Sequence, residues 1–150
     1  MNESVDILND LMNSLRTDVV NSLQANGRYA TGETIANLTI GVSDNNGQLF
    51  APGWIDALEV GRKPTSEGAT ASDPTLFDRI VVWLQAKGLT MNPYAVTKSI
   101  HKKGYPGKPG VLTEPLGEDN VNPKVNAAAE QLAAIQQREI AEMFEVLNDI

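Results

Sequence analysis

The chain has 150 residues, 41% of them hydrophobic, with a net charge of −7 and no cysteine. One domain with a real core is therefore the expectation. The missing cysteines exclude disulfides, thiolate metal sites and cysteine nucleophiles, and the acidic balance repels nucleic acid over most of the surface.

Residues 4–24 predict an amphipathic helix. Ile7, Leu8, Leu11, Met12, Leu15, Val19 and Leu23 recur at three- and four-residue steps, which puts them on one face. Asn2 or Ser4 suits the cap, and Asn26-Gly27 ends the helix. Glu3, Asp6 and Asp10 argue against a signal peptide. No apolar run approaches the roughly 20 residues that cross a bilayer, so no membrane partner is expected.

The period then changes. Ala36, Leu38, Ile40 and Val42 alternate with Asn37, Thr39, Gly41 and Ser43, predicting a strand with one buried face. Asp44-Asn45-Asn46-Gly47 predicts a hairpin turn built on positive φ, with the return strand starting at Gln48-Leu49-Phe50. Ala51-Pro52-Gly53 is a turn signal, and the apolar run from Trp54 to Val60 reads as a third strand. That strand delivers Gly61, Arg62, Lys63 and Pro64 to the surface. The fold class expected is α+β: a small antiparallel meander packed against N- and C-terminal helices, with a central helix pair.

Residues 65–72 form a small-residue, mobile loop. Asp73-Pro74 predicts a helix start, with Asp73 as N-cap. Leu76, Phe77, Ile80, Val81 and Leu84 would face inward, and Lys87-Gly88 would close the helix. Trp83 lies off that face, either half-buried or a contact for another molecule. Asn92-Pro93 starts a second helix, burying Ala95, Val96 and Ile100 and ending at Gly104. Residues 104–122 read as a second, long mobile loop. Asn122-Pro123 starts a long C-terminal helix carrying Val125, Ala128, Ala129, Leu132, Ile135, Ile140, Met143, Phe144 and Leu147.

Charge is unevenly spread along this order. Residues 79–110 hold Arg79, Lys87, Lys98, Lys102, Lys103 and Lys108 and no acid. Residues 111–150 hold eight acids, among them Glu139 and Glu142, against Lys124 and Arg138. Two readings stay open: the last helix lies near the basic segment of its own chain, or the basic face of one copy meets the acidic face of the next.

No chemistry-bearing constellation emerges. His101 is the only histidine, placed to offset a helix C-terminus or to face solvent. A zinc site or serine triad lacks partners. Gly104-Tyr105-Pro106-Gly107-Lys108 departs from the phosphate-loop frame because Pro109 follows the lysine. Neither enzyme, cofactor nor metal is expected. A basic loop with Tyr105 that meets phosphate and stacks a base is the reading from another class.

The order of the pieces is more specific than any one. Thr31-Gly32 precedes Leu38, Ile40 and Val42; then come Glu59, Gly61, Arg62, Lys63 and Pro64; then Trp83, Leu84, Lys87 and Gly88; then Ala95, Ile100 and Gly104; then a final helix. Over about residues 1–147 this resembles the tail-completion or neck proteins of tailed bacteriophages, also called head-tail joining or minor tail proteins. The chain departs from the family pattern at Trp54-Ile55, where a tyrosine-alanine pair is usual, and at Gly110-Val111-Leu112, where proline-phenylalanine is usual. The resemblance implies a structural virion subunit, made in the host cytoplasm, that forms a cyclic ring between portal and tail. Its partners would be further copies and the portal, adaptor or tail-tube proteins, with DNA only as passing cargo. A tail terminator or portal adaptor ring is the alternative within the class. The expected contact residues are Glu59, Arg62, Lys63, Lys102, Lys103, Tyr105, Lys108, Glu139 and Glu142.

Overall fold

A computed structural model describes residues 2–28 and 32–148, so Thr31 of the Thr31-Gly32 pair lies outside the described residues. The fold is mixed helix and strand, as expected. Helix α1 spans Glu3–Ala25, capped by the Asn2 side chain, which accepts from the Ser4 amide. Its buried face is Met12, Leu15, Val19 and Leu23, four positions on one helical stripe.

A single helical turn, α2 (Glu33–Ala36), precedes strand β1 (Thr39–Ser43). Ala36 thus belongs to a helix and not to the alternating strand: its amide bonds to the Gly32 carbonyl. Arg16 on α1 fixes this junction, its guanidinium donating to the carbonyls of Leu38 (2.6 Å) and Ile35 (3.1 Å). Strand β2 (Asn46–Phe50) returns antiparallel, with Ser43 opposite Asn46. Asp44 and Asn45 therefore make the turn, and they do so without positive φ.

The expected third strand is not one. Residues 54–60 form turns leading into a short helix, α3 (Ala57–Val60), and only Gly61–Arg62 is extended, as β3. Local bonds carry it: Ile55 N to Pro52 O, Leu58 N to Ile55 O, and the amides of Glu59 and Val60 to Asp56 O. The apolar spacing agrees. Ile55 and Leu58 reach the core three residues apart, while Trp54 and Val60 are exposed. A short apolar run cannot by itself distinguish helix from strand. The meander is consequently replaced by two separate two-stranded sheets, β1–β2 and β3–β4.

Helix α4 spans Leu76–Lys87 and α5 spans Pro93–Lys103; the two pack on each other. Helix α4 starts later than Asp73-Pro74 predicts because Thr75 is the better cap. Its hydroxyl accepts from Asp78 N and the Asp78 carboxylate accepts from Thr75 N, which satisfies two otherwise orphaned donors. Helix α5 begins at Asn92-Pro93 as expected. Its buried residue is Thr97, with Val96 and Ile100 half-buried and Ala95 exposed. Trp83 is partly exposed.

Strand β4 is Tyr105–Pro106, and α6 runs Glu118–Asn148 with Pro123 inside it. The earlier start is tied down by α1: the Asn120 side chain donates to Asp18 (2.8 Å), and Lys124 pairs with Asp18 and Ser14. These contacts outweigh the one helix bond that a proline removes. The core joins α1 to the loops: Val19, Leu23, Leu38 and Val111 are buried together, with Ile55, Leu58 and Leu112 against them.

Candidate functional site

Residues 58–65 run antiparallel to residues 101–108. The Lys108 amide bonds to Leu58 O, Gly61 faces Pro106, Arg62 faces Tyr105, and the Thr65 amide bonds to His101 O. Glycine stands where the backbones touch. A Cβ on Gly107 would lie 1.9 Å from Glu59 O, one on Gly104 2.0 Å from Arg62 O, and one on Gly61 2.4 Å from Tyr105 O. No side chain fits at such distances. Gly61 and Gly104 also have positive φ, +82° and +69°, which favours glycine on conformational grounds.

Glu59 closes one end of this crossing. Its Oε1 accepts from the Gly110 amide (3.0 Å) and the Thr113 hydroxyl (2.6 Å). Its Oε2 accepts from the amides of Leu112 (3.0 Å) and Thr113 (3.0 Å). Burial pushes the carboxyl upward, but these four bonds together outweigh it, and its pKa falls below the ordinary value. The clasp seats the 110–113 turn, whose Val111 enters the core and whose carbonyl accepts from Ser22 of α1. Residues 104–122 are thus a bonded segment containing β4 and the first turn of α6, not a long structureless loop.

The other end is basic. Arg62 donates to Thr65 Oγ1 (3.1 Å), which also bonds His101 Nδ1 at 2.7 Å. Lys102 and Lys103 end α5, where cations offset the helix dipole. They are exposed, as are Lys63 and Lys108, while Tyr105 is half-buried. Seven of the nine expected contact residues therefore share one unit: Glu59, Arg62, Lys63, Lys102, Lys103, Tyr105 and Lys108. Within it, Glu59 spends its carboxylate inward and the four lysines point their charge out.

Glu139 and Glu142 are elsewhere. They lie on α6 beside Arg138, bordering an open depression that also includes Asn2, Glu3 and Ser4 of α1. The ion pairs that α6 makes, Lys124–Asp18 and Arg138–Glu3, both go to α1. Lys124 and then Asn120 lower the Asp18 pKa. The main packing partner of α6 is α1.

Sequence reasoning missed Thr113, Gly61 and Gly107 as builders of the crossing, and Thr65 as the link to His101. The glycines were visible as paired short motifs, Glu59-x-Gly61 and Gly104-x-x-Gly107; only their meeting was not. Among the described residues no cluster of His, Cys, Asp or Glu could hold a metal, and no helix is long and apolar enough to cross a membrane. No family model, curated protein or solved structure matches the chain.

Proposed function

We propose that this chain is a non-catalytic structural subunit of the neck or tail-completion region of a tailed bacteriophage, assembling into a ring through which DNA passes. The observation that carries the reading is the glycine crossing. Two of the stretches that bear the resemblance, Glu59 to Pro64 and the α5 end at Gly104, are far apart in sequence and meet as one unit. An ordered set of loose motifs gains weight when its members are physically interdependent. A basic tip on the crossing and a separate acidic helix also suit a head-to-tail contact that closes into a ring. The net charge of −7 suits a passage that DNA must not adhere to.

Native mass spectrometry and electron microscopy of the purified chain, and of virion connectors containing it, test this. A ring of copies at the head-proximal end of the tail is the expected result. A stable monomer absent from virions overturns it.

A further inference from the structure

Helix α6 outruns the helix it packs on. The pairing is antiparallel, with Asp18 beside Asn120 and Lys124 and Glu3 beside Arg138. Since α1 begins at Glu3, residues 139–148 project past its end, about 15 Å of helix at 1.5 Å per residue. That projection is amphipathic. Ile140, Met143, Phe144 and Leu147 recur at three- and four-residue steps, and Met143, Phe144 and Leu147 are 65%, 63% and 62% exposed. Glu139 borders this stripe, and Glu142 lies further round on the same side, toward Asn2, Glu3 and Ser4.

We propose that this projecting segment docks on the α4–α5 pair of a second copy of the chain; the inference rests on the ring-subunit reading and names its contact. The α4–α5 pair carries the complementary surface. Leu89, Met91 and Tyr94 are exposed around the α4–α5 connection, Tyr94 by 65%. Lys98 and Lys102 follow Tyr94 at four-residue steps along the exposed side of α5. Residues 79–110 contain no acid to offset them. An apolar stripe with an anionic border thus faces an apolar patch with a cationic border.

The same charges argue against the symmetric alternative. Pairing two projections with each other would set Glu139 and Glu142 of one copy against those of the other, a like-charge contact. The heterologous contact joins different surfaces of successive copies, so it propagates until it closes.

Sedimentation velocity and native mass spectrometry of the 150-residue chain and four variants decide the matter. Wild type should form an oligomer. M143E/F144E and K98E/K102E should each weaken association at least tenfold while circular dichroism and the melting temperature stay unchanged. E139K/E142K should weaken it likewise, and combining it with K98E/K102E should restore the wild-type oligomer. Association unaffected by M143E/F144E, or a combined variant that is not restored, overturns the docking alone. A wild-type chain that remains monomeric by itself and on virion connectors overturns the ring reading with it.

Discussion

The glycine crossing and the projecting half of α6 are opposites. At the crossing, backbones approach to distances that exclude a Cβ, and one carboxylate satisfies four donors. At the projection, four large apolar side chains stand more than half exposed. The first region is fixed by the chain itself. The second is left half-covered, and in the docking proposed above a second copy completes it. Stability should therefore be concentrated in the first and association in the second, and variants can separate the two.

The sharpest break is G107A. Its Cβ would meet the Glu59 carbonyl at 1.9 Å and the Gly61 amide at 2.4 Å, backbone atoms that cannot rotate away. The crossing must open, at a cost of about 3 kcal/mol or more, read by chemical denaturation. G88A is the control. Gly88 has the positive φ, +63°, that Gly107 lacks, and open space around it, so about 1 kcal/mol is expected. A G107A loss no larger than that of G88A would mean that the backbones at the crossing part cheaply and that close approach is not what requires glycine there.

Next comes E59Q. The amide oxygen can replace one carboxylate oxygen, but the NH2 group then confronts two donors on the other side. Whether it faces Leu112 N and Thr113 N or Gly110 N and the Thr113 hydroxyl, one pair loses its acceptor. Hydrogen bonds to a charged group contribute about 1.5–3 kcal/mol each, and partial exposure lets water recover some. A loss of about 2 kcal/mol is expected.

How much of this was legible follows from the range of each interaction. The α1 stripe, the hairpin and the Asn92 cap are local, and each was readable from spacing or one side chain. Residues 54–60 were misread because an apolar run of that length satisfies both periods; the outcome was decided by Ile55 and Leu58 meeting a core built from α1 and Val111. The start of α6 was misread for a related reason: Pro123 is a local signal, while Asp18 is a partner over 100 residues away. At the candidate site, the basic residues were legible as charges. That Glu59 serves the fold and not the surface was not, because its four donors come from residues 110–113, more than 50 positions on.

The pH dependence is smaller and sharpens the role of Glu59. Its folded pKa lies below the ordinary value near 4.5. The stabilisation is thus complete above the unfolded value and is lost as pH falls through the folded one. Asp18 is depressed in the same direction by Lys124 and Asn120, so acid destabilises the wild type through both groups. The gap between wild type and E59Q isolates Glu59. Urea midpoints of the two proteins should converge as the pH falls through the folded-state pKa of Glu59, because the wild type then also carries a neutral side chain at position 59. A gap that persists into acid would assign the E59Q effect to shape instead of charge.

The smallest expected effect is the most informative about the projection. Ending the chain after Arg138 removes Ile140, Met143, Phe144 and Leu147 but keeps the contacts that hold α6 to α1: Asn120 and Lys124 to Asp18, and Arg138 to Glu3. The exposed pair Arg138–Glu3 contributes little in either form. In a monomeric state, the melting temperature should move by no more than surface changes do, within about 0.5 kcal/mol. Apolar side chains that gave the fold its stability could not be deleted so cheaply, since burying each is worth about 1.5–3 kcal/mol. A truncated chain that unfolds markedly earlier as a monomer would show that the stripe packs within its own copy, and the contrast between the two regions would fail.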